Sequence, residues 1–190
     1  LTLLRGVIDS PDIPLNVSRS YLQADGAVKK ISNYITRKVG DKLNSLFKKD
    51  RKAFEEKWND IKVVIEYGML SEDKFFEKAE KFALYPTTDG DYHTFDELRE
   101  LINDHQTDKD NKLIILYASD KDAQHSYIEQ AKVKGYKILI LDSPIIGHLI
   151  QKLEGKNEKI SFSRVDGDTL ENLIKKKEAT VSKLSDKEKE

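Results

Sequence analysis

Between residues 112 and 143 the chain reads strand, helix, strand, and this unit restricts the fold more than any other feature of the sequence. KLIILYAS and YKILILDS are near-continuous apolar runs, while DAQHSYIEQAKVKG between them has helical spacing. Two strands joined by a crossover of that length are predicted to pair in parallel. Because both runs are apolar throughout rather than alternating, helices are expected on both faces of the sheet they form. The fold class is therefore α/β, and the rest of the chain has to supply the covering helices.

Much of that helix lies upstream. From Ala27 to Phe47, Val28, Ile31, Ile35, Val39, Leu43 and Leu46 recur at steps of three and four, which predicts one amphipathic helix that Gly40 weakens without breaking. The charged turn KKDRK leads to a second stripe of Phe54, Trp58, Ile61, Ile65 and Gly68. A third helix follows Ser71 with Phe75, Phe76 and Ala79. Three consecutive helices without an intervening proline are expected to pack on each other. At Tyr85-Pro86 the pattern changes, for PTTDGD is turn chemistry and Thr94-Phe95-Asp96-Glu97 is a helix start. Downstream, a helix around Ile145 to Leu153 and a short strand ISFSRV complete the layer. Past Asp168 only a thin apolar stripe remains, which predicts a linker or frayed helix.

Several function classes fall away on composition. The 190 residues include 33 basic and 34 acidic side chains, so no overall field makes nucleic acid or a membrane surface a default partner. There is no Cys, which removes disulfides and thiolate chemistry. The longest apolar runs fall short of the roughly 20 residues a membrane span needs. No Gly-rich phosphate cradle and no GxSxG elbow occur. His93, His105, His125 and His148 are too scattered to suggest a metal site. The opening LTLLRGVID has no Met and reads as the middle of a strand, so the chain is expected to be a fragment of something larger.

One local peculiarity remains, GVIDSPDIPLNVSRSYLQ at residues 6 to 23. Pro11 and Pro14 fix φ at two points of an acidic loop, so its shape is set in advance. Asn16 and Ser18 are N-cap types for a short helix through Gln23, which the Asp25-Gly26 pair should end. On such a helix Arg19 and Gln23 stand four apart and share a face. A preorganised Arg and Gln suit phosphate oxygens, the first as a bidentate charge and the second as a neutral donor. The same spacing equally allows Arg19 to pair with Asp9 or Asp12 and simply close the loop.

The loop also resembles the signature of the heat-shock protein 90 chaperone family, in which an apolar GV-D-S-D-PLN-SRE-LQ pattern recurs. The likeness continues through the helices from Val28 to Tyr67, then Gly68 with Glu72-Asp73, and the Phe82 to Thr88 stretch. His93-Thr94-Phe95-Asp96-Glu97-Leu98, LIILYAS and YKILILDSP also resemble the family's next helix start and two strands. The resemblance implies the latter part of a middle domain. Residues 1 to 24 would be the last strand and catalytic loop of a larger α/β subdomain, and 25 to 83 a helical connector. Residues 84 to 165 would be a small three-layer α-β-α subdomain with a partly parallel sheet, and 166 to 190 a charged linker toward a C-terminal dimerisation domain.

The family implies an ATP-dependent cytoplasmic chaperone that binds unfolded or partly folded clients and works as a homodimer. ATP and Mg²⁺ would be bound by an N-terminal domain of the full-length protein, with no cofactor and no metal held by this segment. Arg19 matches the family's loop arginine, which meets the γ-phosphate, and Gln23 its supporting glutamine. One departure concerns the client-contacting surface. Where many members carry an acidic pair and an aromatic residue, this chain has Ile146, Gly147 and His148, which could equally be ordinary helix-surface residues. Two functions stay open on the residues: part of an ATP-driven chaperone, or a non-catalytic protein-interaction module in which Arg19 only braces its loop.

Overall fold

The structure is a computed structural model, and it describes residues 26–176. It opens on three helices, α1 (Gly26–Lys49), α2 (Arg51–Ser71) and α3 (Asp73–Ala79). The predicted stripes hold them together in part, for Leu46 of the α1 stripe is exposed and its neighbour Phe47 packs inward instead. Val39, Leu43 and Phe47 of α1 pack against a core to which α2 gives Phe54, Trp58, Ile65 and Met69, and α3 gives Phe75, Phe76 and Ala79. Edge-on aromatic pairs connect the three helices and the segment after them: Phe47 with Phe54 at 5.6 Å, Phe54 with Phe82 at 6.2 Å, and Phe75 with Phe82 at 6.4 Å. The α1–α2 break takes a single residue, Asp50, whose Oδ1 accepts from the Ala53 amide at 3.0 Å and so caps α2.

Gly40 and Gly68 do more here than weaken helices. A Cβ at Gly68 would lie 2.7 Å from Cε1 of Phe75, and one at Gly40 would lie 3.0 Å from Cδ of Lys78. Both glycines are the places where α3 comes against its neighbours, and a side chain at Gly68 would push the Phe75 ring away.

The chain then makes a short antiparallel hairpin, β1 (Tyr85–Pro86) with β2 (Tyr92–His93). Its turn uses Gly90 at φ +93°, a value few other residues adopt, and closes with Thr87 N–H to Asp91 O at 2.8 Å. Helix α4 (Phe95–Gln106) starts where the sequence puts it. Thr94 Oγ1 accepts from the Glu97 amide while Glu97 Oε2 accepts from the Thr94 amide at 2.8 Å, a complete capping box.

The remaining elements alternate: β3 (Leu113–Ala118), α5 (His125–Val133), β4 (Ile138–Ile140), α6 (Ile146–Lys156), β5 (Ile160–Arg164) and α7 (Leu170–Leu173). The sheet order is β4-β3-β5, with both pairings parallel. Central β3 explains its own unbroken apolarity, since its two faces enter two cores. Leu113 and Ile115 join Phe95, Leu98, Ile102, Leu149 and Leu153 on the side of α4 and α6. Ile114, Leu116 and Ala118 join Ile128, Ala131 and Val165 on the side of α5. The three-layer α/β arrangement follows. The first of these cores is continuous with that of α2 and α3, so helices and sheet share one apolar interior.

Two details differ from the sequence reading. The three strands pair in parallel throughout, and the antiparallel component is the separate hairpin with two isolated bridges, Thr87–Leu139 and Thr107–Leu113, at β4 and β3. The chain past Asp168 is not all linker: Leu170 and Ile174 are buried in the second core, and the Lys109 amide donates to Lys175 O at 2.6 Å. Four-residue spacing suffices there because the α5 side of the sheet already offers an apolar surface.

Polar groups finish the packing. Gln106 is fully buried; its Nε2 donates to Ile114 O at 2.9 Å and its Oε1 accepts from the Lys137 amide at 2.7 Å. Gln106→Leu keeps the volume but orphans two backbone groups, each costing about 1–3 kcal/mol. A fall of that order in unfolding free energy, read as a lower denaturant midpoint at constant slope, is the expected result.

Candidate functional site

Arg19 and Gln23 lie outside the described residues, three or more positions before α1 begins. What the structure describes is the element that follows them. At 1.5 Å per residue the 24-residue α1 is about 36 Å long. It carries seven basic residues and one acidic residue, with no acid in its first turn. A chain that is almost neutral overall thus has a strongly electropositive helix immediately after the loop. Half-exposed Tyr34 stands among these cations, with Arg37 Cζ 5.4 Å and Lys38 Nζ 5.6 Å from its ring centroid. A groove of about 590 Å³ runs from Lys30, Tyr34 and Arg37 to Lys74 and Lys78 of α3, with Glu72 and Glu77 also in its wall. Asp41 pairs with Lys78 and fastens the two helices across it.

At the other end of α1, Arg51 fixes α2 to α4. Its guanidinium forms a bidentate pair with Glu97, donates to Tyr92 O at 2.8 Å and to Glu55 Oε1 at 2.8 Å, and lies over the Phe47 ring at 5.2 Å. Glu97 therefore serves two tasks, capping α4 and anchoring Arg51. The Arg51 hydrogen bond, ahead of the Thr94 contacts, holds the Glu97 carboxyl down at about 2. A carboxyl lowered in the folded state contributes stability that is complete above its unfolded value and lost as pH falls through the folded one. Acid unfolding is therefore expected to draw on this pair between the ordinary glutamate range and about pH 2. In Glu97→Gln that part of the stability profile should flatten; an unchanged profile would assign acid sensitivity elsewhere.

Ile146, Gly147 and His148 form the first turn of α6. Ile146 packs against the main core, whereas Gly147 and His148 are exposed. Among the described residues no three His, Asp or Glu side chains converge to hold a metal ion, and no helix is long and apolar enough to cross a membrane. Several buried polar groups escaped the sequence reading, His93 and Glu66 among them. His93 Nε2 is buried without a partner, and Glu66 is buried in α2. Glu66 follows Ile65 inside the run VVIEYGML, and that position in an otherwise apolar stretch was the available signal.

Known proteins place this architecture. A family model described as Hsp90 protein matches residues 1–190. Chaperone protein HtpG of Bacteroides thetaiotaomicron is 57% identical over 190 residues, covering 100% of this chain and 28% of that protein. HtpG of Porphyromonas gingivalis is 55% identical over 189 residues, again 100% of this chain and 28% of its length. The chain thus spans 28% of the length of these curated relatives. Among solved structures, the middle domain of a Plasmodium falciparum heat shock protein superposes with a TM-score of 0.56 at 17% identity, covering 76% of this chain and 60% of that one. At that identity the likeness speaks for the fold, while the match along the whole sequence speaks for descent. This chain belongs to the Hsp90 family of chaperones and has the fold of the family's middle domain.

Proposed function

We propose that in the full-length protein this chain completes an ATPase site from outside the nucleotide-binding domain, with Arg19 as the completing group and Gln23 beside it. ATP, held upstream with its Mg²⁺, supplies the phosphoryl chemistry. Arg19 presents a planar fork of N–H donors to the γ-phosphate oxygens, where it holds the negative charge that develops there. Gln23 adds a neutral donor one turn away. The observation that carries this reading is the signature NVSRSYLQ placed just before a basic helix whose second half packs against the core through Val39, Leu43 and Phe47. The loop residues 1 to 24, the connector 25 to 83, the α/β part 84 to 165 and the linker 166 to 190 take the roles the family implies.

Client binding is proposed for the α/β part as a whole rather than for the first turn of α6, where Ile146 is occupied with the core. Homodimerisation through a C-terminal domain and a cytoplasmic location complete the proposal. The test is ATP turnover by the full-length protein with and without the Arg19 side chain. Unchanged turnover would instead support the interaction-module reading, in which Arg19 braces its loop.

A further inference from the structure

Helices α1 and α2 face each other along a seam that the described residues leave open. On α1 the seam is Thr36, Val39, Leu43 and Leu46, and on α2 it is Ala53, Lys57, Ile61, Val64 and Gly68, all at steps of three or four. Two hollows lie along it, one of about 490 Å³ beside the Asp50 break and one of about 320 Å³ further on, and Leu43 lines both. Val39, Leu43 and Ile61 touch the main core but are only half-buried, and Leu46 is 43% exposed. Helix α3 lies against Gly40 at the back of the seam, where Phe75 forms part of the floor.

The two ends of the seam differ in charge. Lys49 and Lys57 stand exposed at the rim by Asp50, and neither has an ion pair among the described residues. Asp50 itself is turned to the Ala53 amide at the start of α2. The lining of the second hollow includes Glu72 and no lysine or arginine. We propose that this groove is a docking site for an amphipathic helix of a partner protein, apolar on the side it buries and acidic at the end that reaches Lys49 and Lys57.

Length and periodicity select a helix as the occupant. From Ala53 to Ser71 the α2 wall is about 27 Å long at 1.5 Å per residue, so a helix of about 18 residues would fill it. Walls with ridges three and four residues apart are what a third helix packs its own side chains between. Apolar anchors one turn apart on that helix would cover Leu46 and the open sides of Val39, Ile61 and Val64. Carboxylates beside the anchors would give Lys49 and Lys57 the partners they lack, which also fixes the direction in which the helix lies. A small ligand is better served by an enclosed pocket than by a groove open along its side. The inference does not depend on the role of Arg19.

The probe is a labelled synthetic peptide of that length, with leucines at i, i+3, i+4 and i+7 and glutamates beside them toward one end. Its binding to the full-length protein is read by fluorescence anisotropy. The wild type should bind it, more weakly as salt rises, and should prefer it both to a peptide with lysines in place of the glutamates and to a scrambled peptide of the same composition. Leu46→Glu, at an exposed position, should weaken binding about tenfold or more. Lys49→Glu combined with Lys57→Glu should reverse the preference so that the lysine peptide binds better, a gain that a misfolded variant does not give. No binding by the wild type, indifference to scrambling, or a preference that survives the double charge reversal overturns the proposal. So does self-association of the protein that Leu46→Glu abolishes, which would give the groove to a second copy. Binding of dodecanoate in place of the peptide overturns it as well and would give the groove to a fatty carboxylate.

Discussion

Arg19→Ala in the full-length chaperone should lower ATP turnover by about 10³-fold or more while ATP affinity hardly changes, as for other arginines that meet a transferring phosphoryl group. The split follows from when the contact forms. If Arg19 reaches the γ-phosphate only as the chain closes on the nucleotide, its loss removes an interaction made mainly near the transition state, and the rate falls without a matching loss of binding. Arg19→Lys should rescue little, because one ammonium does not reproduce a planar fork. Gln23→Ala should be milder, about 1–2 kcal/mol for a neutral donor to a charged group. If Arg19 serves the phosphate rather than a brace, none of these substitutions should move the melting temperature of the 190-residue chain appreciably, since a surface charge contributes little to folding. Normal turnover with a destabilised chain would show that Arg19 is a brace.

How far the sequence discloses this molecule depends on the distance over which each feature is decided. The strand-helix-strand unit and the Thr94–Glu97 capping box are legible because their determinants are neighbours, and the structure shows both. Arg51 with Glu97 and Gln106 with Lys137 are separated by 46 and 31 residues, so no local pattern pairs them. Leu170 and Ile174 look like a thin stripe in a charged tail until a sheet face stands ready to cover them. The basic character of α1 was hidden by averaging, since 33 basic against 34 acidic residues describe the chain but no single helix. For Arg19 and Gln23 the spacing left both a brace and a phosphate contact open, and a brace is the commoner use of such a pair. Only the likeness to a family favours the phosphate contact, because the rest of the site it would serve would come from other residues.

Trp58→Ala should cost about 3–5 kcal/mol, the range for emptying an aromatic position in a packed core. Trp58 is 2% exposed and belongs to the main apolar core. Its ring lies 6.3 Å from Phe54, which in turn meets Phe47 and Phe82, so the cavity would open at the junction of α1, α2 and the segment leading to β1. Against a total stability of about 5–15 kcal/mol for an ordinary domain, that loss brings the folded state close to its limit. The more informative outcome is where the loss appears. The core that holds Trp58 also holds Leu113 and Ile115 of β3 and Phe162 of β5. A defect in α2 should therefore lower the protection of β3 amides by the same free energy as that of α2 amides, because the two unfold together. Hydrogen exchange of the wild type and the variant measures both. If β3 protection stays at its wild-type level while α2 loses its own, the helices and the sheet are separately stable units, and the continuity of their shared core is not what holds the fold.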